Sequence, residues 1–368
     1  MKLRCERDVL LEALGTAGRA VASRAGALPV LAGERLEVHG DALTVTGTDL
    51  DLTISVTAEV SGGTDGVVVA RGRLVTDIVR ALPPGAVTLE ADDEDLRITS
   101  GRSEFTVRTM LAAEFPHLPA PSGDAVTLPA GALSEALRQV VRAASSDDTR
   151  PILTGVLVAS EADGLRLVAT DSYRLAVRDL PGVAGVLSEG QRVLVPSRAL
   201  GELQRLVGSA ADGDISLRLG THDVTFQTGQ VSLTSRLIEG EFPNYRQLIP
   251  SDYPNRLVVG RDELLDAVRR VKLLARDATT PVRVALRTES IELTVITTDW
   301  GTAHEEIDAK YEGAEMTVAF NPNFLIDGCE AVAGDEVVLD TLDALKPATL
   351  RPTSGDEFTY LLMPVRVS

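Results

Sequence analysis

The chain has 368 residues, 44% of them hydrophobic, and its 54 acidic against 36 basic side chains leave a formal net charge of −18. That length allows two or three domains with cores of their own, and the acidic balance, averaged over the surface, argues against a partner held by its phosphate charge. No run approaches the roughly 20 apolar residues that span a bilayer, and no apolar signal region follows Met1-Lys2-Leu3-Arg4-Cys5-Glu6, so a cytoplasmic setting without membrane contact is expected.

In chain order, polarity alternates over 2–5, which predicts a short strand, and Asp8 then opens a helix. Val9, Leu10, Ala13, Leu14 and Ala17 recur at helical spacing and form its apolar stripe. Alternating runs at 35–38, 42–47 and 51–60, rich in Val, Thr, Ile and Leu, predict antiparallel strands, with turns at His39-Gly40-Asp41 and Ser61-Gly62-Gly63. A run at 67–70 leads into a second helix, 73–82, stopped by Pro83-Pro84-Gly85. Strands follow at 86–90, 96–99 and 104–109, and the acidic run Asp92-Asp93-Glu94-Asp95 is expected to be a solvated hairpin turn between two of them. Cys5 and Cys329 sit in separate apolar patterns and are expected to be reduced core residues.

The same order returns twice. Ala132-Leu133-Ser134-Glu135-Ala136-Leu137, Arg150-Pro151-Ile152-Leu153, Val168-Ala169-Thr170-Asp171 and Val193-Leu194-Val195-Pro196 form a second copy. The third has Arg261-Asp262-Glu263-Leu264-Leu265, Thr280-Pro281-Val282, Thr297-Thr298-Asp299 and Met316-Thr317-Val318-Ala319-Phe320. A period of about 120 residues is a whole domain, not a solenoid unit. The expected domains are 1–121, 122–252 and 253–368, each of two strand, helix, three-strand halves. One helix per antiparallel half predicts an α+β layer fold with all helices on one side. The pairs Thr48-Asp49, Thr170-Asp171 and Thr298-Asp299 recur at one place in each copy and are expected to be turn-forming rather than catalytic.

Several segments together resemble the bacterial DNA polymerase III beta subunit family, the sliding clamps. They are Thr48-Asp49-Leu50, Gly101-Arg102-Ser103 with Phe105, Ala113-Glu114-Phe115-Pro116, the run from Val168 to Val177, Glu239-Gly240-Glu241-Phe242-Pro243-Asn244-Tyr245-Arg246 and Met363-Pro364-Val365-Arg366. They span all three copies. The resemblance implies the DNA clamp fold and a head-to-tail homodimeric ring around double-stranded DNA, helices inside and sheets outside. It implies a non-catalytic processivity factor without cofactor or metal. Its implied partners are the polymerase III catalytic subunit, the clamp loader, and other polymerases and repair proteins that carry clamp-binding peptides.

On the same footing, a peptide pocket is implied at Leu153, Thr170, Ser172, Tyr173, Arg174, Leu175, Pro243, Leu248, Leu361, Met363, Pro364, Val365 and Arg366. Aliphatic and Met side chains suit an adaptable groove, and Arg174 and Arg366 could meet the polar ends of an extended peptide, although Leu153, Leu175 and Leu361 also fit plain strand core. The apolar stretch from Leu361 to Val365 calls for a cover. Gln247 and Val367-Ser368 depart from the family pattern. Helix-borne bases Arg19, Arg80, Arg138, Arg142, Arg205, Arg269, Arg270 and Lys272 are candidate phosphate contacts, and Arg24, Arg73, Arg150 and Arg198 are the chosen DNA-binding set. The last helix, 321–332, carries Asp327 and Glu330 and no base, which predicts a lining that is not uniformly positive. Ring closure is implied between Arg102, Phe105 and Val107 of one copy and Leu273, Leu274, Glu305 and Glu306 of the next, with Glu104 standing where the family has a base.

No GxxxxGK[ST], HExxH or CxxC is present, and His39, His117, His222 and His304 are scattered. Two other readings stand beside the clamp: a duplicated clamp with altered peptide or inhibitor preference, and an α+β enzyme with a site at a repeat junction.

Overall fold

The computed structural model describes residues 1–22, 28–118, 120–183, 185, 187–208, 213–277, 279–355 and 357–366. They form two compact units, Met1–Gly131 with Glu202–Leu237, and Ala132–Gly201 with Ile238–Ser368. The helices are α1 Arg7–Ala17, α2 Gly72–Ala81, α3 Ala130–Val140, α4 Ser197–Gly208, α5 Arg261–Lys272 and α6 Pro322–Ala331. Every strand pairing is antiparallel, within one sheet of thirteen strands in the first unit and one of twelve in the second. No described helix is long and apolar enough to cross a membrane.

Local chemistry accounts for the helices. In α1, Leu10, Ala13, Leu14 and Ala17 are buried as expected, but Val9 is 39% exposed and Thr16 is buried instead. Successive helical residues turn by about 100°, which carries Val9 off the face that Leu10 and Leu14 share. Helix α2 stops at Ala81 because Leu82, just before Pro83, is held extended at ψ 151°. At α6, the Asn321 side chain accepts the Asn323 N–H and Pro322 fills the first turn, where its missing N–H costs nothing.

The expected turn at Ser61-Gly62-Gly63 is instead the strand Ser61–Thr64, paired with Lys2–Glu6, whose backbone groups on that side would otherwise be unpaired. The acidic run is the expected turn: the Asp92 carboxylate accepts the N–H groups of Glu94 and Asp95 at 2.9 Å each. Asp49 accepts from Asp51 and Leu52, and Asp171 from Tyr173 and Arg174. The third copy differs. Thr297 pairs with Gly301, and the Thr297 hydroxyl, not Asp299, accepts the Trp300 N–H and donates to the Gly301 carbonyl, because this hairpin closes with a shorter loop. Cys5 and Cys329 are both buried free thiols.

Each unit joins halves of two repeats through one strand pairing. In the first, Leu52–Glu59 pairs with Val231–Arg236, Leu52 opposite Ser235 and Ile54 opposite Leu233. In the second, Arg174–Pro181 pairs with Phe358–Leu362, Arg174 opposite Leu362 and Ala176 opposite Tyr360. The compact units therefore each keep one whole repeat and divide the second repeat between them.

Candidate functional site

In the second unit, the pairing of Arg174–Pro181 with Phe358–Leu362 sets Leu175 directly opposite Leu361. Both belong to an apolar cluster with Leu157, Val168, Val177, Leu194 and Tyr245, against which Ile152, Ile238, Phe242 and Ile249 pack. Side chains alternate across a strand, so Leu175 faces this cluster while Arg174 faces the other way. Arg174, expected at the peptide contact, has its guanidinium 4.5 Å over the Phe324 ring and bonded to Asp171 and Asp327, leaving 10% of the side chain exposed. Thr170 is likewise buried, its hydroxyl donating to the Arg174 carbonyl.

Around Leu175 and Leu361, the other predicted groove residues divide by exposure. Leu153 is buried at 5%, whereas Tyr173 at 61%, Leu248 at 49% and Met363 at 38% are unusually open for large apolar side chains. Ser172, Pro243 and Arg366 are exposed, and Pro364 and Val365 are half-buried. The Met363 N–H donates to the Tyr173 carbonyl and the Val365 N–H to the Ala319 carbonyl, which fixes the apolar tail beside the hairpin turn. Ser172 takes φ +81°, a left-handed conformation that its position in the tight turn requires. Arg150, expected among DNA contacts, donates to the Ser172 hydroxyl at 3.1 Å and pairs with Asp147, so it also borders the groove. Only this tertiary contact reveals it. Val367 and Ser368 lie outside the described residues.

The DNA candidates also divide. Arg24 lies outside the described residues. Arg73 is exposed and lines a cleft of about 810 Å³ with Arg19, Arg71 and Arg80 between α1 and α2. Under that cleft, Glu34 is 1% exposed, and neither carboxylate oxygen has a hydrogen-bond partner among the described residues. A Cβ added at Gly18 or Gly72 would come within 2.7 or 2.6 Å of Glu34 Oε1, so two glycines make room for this carboxyl. Burial pushes its pKa up to about 8, leaving it neutral at pH 7. Strand alternation could have revealed it, because Glu34 shares a face with buried Leu36 and Val38.

In the second unit, acids hold the helix-borne bases. Glu330 bonds Arg142 and, at 2.8 Å, Arg269, while Arg138 is paired with Glu135. Burial alone would raise the Glu330 carboxyl, but those arginine bonds hold it below the usual carboxylate range. Arg198 is exposed in the first turn of α4.

Two strand edges complete the site. In Ser103–Met110, only Thr109 and Met110 pair with Gly66–Arg71, so residues 103–108 have a strand on one side only among the described residues. In Gly301–Glu312, residues 301–308 likewise pair only with Ser290–Thr297. Beside these edges Phe105 is 39% and Leu273 76% exposed, Leu274 is half-buried, and Arg102 is exposed. Val107, expected to meet the two leucines, is 5% exposed because it packs inward opposite Leu96. Two hydrogen bonds from Arg270, at 2.8 and 3.0 Å, hold the Glu305 carboxyl below its ordinary range, and Glu306 accepts from Ser290. Among the described residues no three His, Cys, Asp or Glu side chains gather as a metal site.

The chain matches the family models of the DNA polymerase III beta subunit N-terminal domain over residues 1–119, central domain over 127–244 and C-terminal domain over 246–366. It is 34% identical to a beta sliding clamp of Streptomyces coelicolor, with all of both chains covered, and 32% identical to one of Staphylococcus aureus, covering 100% of this chain and 99% of that one. Among solved structures it is similar to the Bacillus subtilis DNA polymerase sliding clamp, at 30% identity and TM-score 0.92, with both chains fully covered. It is also similar to a Bartonella birtlesii sliding clamp bound to griselimycin, at 32% identity and TM-score 0.93, again with both chains fully covered. An antiparallel α+β chain whose three repeats all match, over its full length, belongs to the DNA polymerase III beta subunit family, the bacterial beta sliding clamps.

Proposed function

We propose that two copies of this chain close head to tail into a ring around duplex DNA and hold a replicative polymerase on its template. The protein is a processivity factor, not an enzyme, and it acts in the cytoplasm. Its three clamp domains are 1–121, 122–252 and 253–368. The carrying observation is the pair of one-sided strands: the third strand of one half-repeat joins the third strand of the next repeat at two places within the chain, and among the described residues the third strands at 103–108 and 301–308 are left without that partner. Exposed edges of this length would otherwise invite aggregation. Joining them between two copies uses both edges twice and closes the assembly.

At each closure Phe105 meets Leu273 and Leu274, and Arg102 meets the acidic strand that carries Glu305 and Glu306. The groove formed by Leu153, Leu175, Leu361 and Pro243, with Tyr173, Leu248 and Met363 at its rim, receives short peptides of the polymerase, the clamp loader and repair proteins. Thr170 and Ser172 shape the turn at its edge, Pro364, Val365 and Arg366 extend it, and Arg150 borders it. Arg174 positions this turn from the opposite face of the sheet. On DNA, Arg24, Arg73 and Arg198 contact phosphates without reading bases.

The test is polymerase product length on long primed circular templates. Added protein should lengthen products, and Leu273→Asp should abolish the gain and leave a monomer, since a charge placed in an apolar contact loses its hydration without a partner. Unchanged product length with the unaltered chain would sink the proposal.

A further inference from the structure

The two seams within the chain also specify how the open edges would meet. In the first-half hairpins, buried Leu43 and Val45 face Ala58 and Val56, and buried Ile291 and Leu293 face Ile307 and Glu305 in the same way. Val56 thus corresponds to Glu305, Ser55 to His304 and Ile54 to Ala303. In the second halves, buried Val224 and Phe226 face Ser235 and Leu233, as buried Leu96 and Ile98 face Val107 and Phe105. Leu233 thus corresponds to Phe105 and Ser232 to Glu104.

The internal seam sets Ile54 opposite Leu233 and Ser55 opposite Ser232. Carried to the open edges, the same register sets Ala303 opposite Phe105, a small residue against a large one, and His304 opposite Glu104. The seam in the second unit yields the same frame, with Val177 opposite Thr359 at the corresponding place. Both internal seams are uncharged there. The open edges carry an acid and an imidazole.

We propose that the seam between copies pairs Glu104 of one with His304 of the other, so that this acidic chain recognises its own copy through a contact that strengthens as His304 takes up a proton. The proposal rests on the ring closure proposed above and adds its register and its pH dependence. Glu104 and His304 are both exposed in the single chain. In the joined seam, Glu104 has Thr99 opposite it on its own sheet and Arg97 at 3.3 Å. His304 has Thr294 opposite it on its own sheet, Glu306 beside it on the same face with Glu292 opposite Glu306, and Glu305 adjacent on the other face, bonded to Arg270. Arg102 and Thr106 flank Glu104 from its own strand, and Arg102 falls opposite Glu306. Arg287 lies 3.8 Å from Glu292, and Arg283 stands opposite Thr294 on the next strand. An imidazole changes charge between about pH 5 and 8, so the attraction is present at the acid end and fades as pH rises.

The experiment measures the dimer dissociation constant by analytical ultracentrifugation at pH 6 and pH 8 for the full chain, for His304→Gln and for Glu104→Gln. Two such pairs per ring should raise the constant about three- to tenfold between pH 6 and 8, and either substitution should flatten that rise. Register is read separately by oxidative cross-linking. Thr106→Cys with Thr302→Cys should link across the seam, and Thr106→Cys with His304→Cys should not. A dimer whose pH dependence survives both substitutions, or that links in the second frame, overturns this inference and leaves the ring standing. A chain that stays monomeric throughout overturns both.

Discussion

The two units differ in how they hold some of their arginines, although Arg80 of the first is itself paired with Asp77. In the first, Arg71 and Arg73 border a cleft, no ion pair of either is found among the described residues, and the acid nearest beneath, Glu34, is kept neutral by burial. In the second, Arg142 and Arg269 are tied to Glu330, and Arg174 to Asp171 and Asp327. A guanidinium already bonded to a carboxylate must lose that bond before it can displace counterions from phosphate, so equal numbers of helix-borne arginines do not make equal DNA surfaces. The first unit is therefore expected to supply more of the grip per arginine.

The contrast is broken most strongly at Glu34. Its folded pKa of about 8 lies above the unfolded value of 4.5, so its favourable contribution is complete below pH 4.5 and is lost as pH rises toward 8, at roughly 1.4 kcal/mol per pH unit. Glu34→Gln removes the buried charge, should stabilise the protein by roughly 1–3 kcal/mol at pH 8 and should flatten that decline. Chemical denaturation at pH 5 and pH 8 reads both, and an unaltered slope would mean that the carboxyl is solvated. Next in size is the cleft: Arg73→Glu should weaken binding to a short duplex about tenfold at low salt, whereas Arg142→Ala should change it less than about twofold. Fluorescence anisotropy over a salt series decides, and equal losses would erase the difference between the units. The smallest effect is expected at Glu330→Gln, which loosens Arg142 and Arg269 and should tighten duplex binding about twofold in the same assay. Weaker binding there would show that the pairs position the helix rather than quench it.

Most of the fold was legible because its periodicities are local. Alternation over 42–47 and helical spacing over 73–82 locate a strand and a helix to within a residue or two. The turn role of Asp49 and Asp171 followed from their recurrence, since a carboxylate can bond only the N–H groups a few residues ahead of it. The site was legible in part. Tyr173, Leu248 and Met363 are open as a docking rim requires, but the orientation of Arg174 depends on Phe324 and Asp327, more than a hundred residues away in sequence. The bond from Arg150 to Ser172 spans 22 residues, and nothing near Arg150 in the chain announces it.

The sequence by itself determined three copies of one repeat of two similar halves, their helices and strands, and the family they belong to, because these depend on spacing and order along the chain. Tertiary structure alone decided which arginines are spent on carboxylates, that Glu34 is buried without a hydrogen-bond partner, and that the edges at 103–108 and 301–308 are open among the described residues. Those depend on what distant segments bring within hydrogen-bond reach, and a fixed register then carries the same geometry from the seams inside one chain to the edges it offers a second.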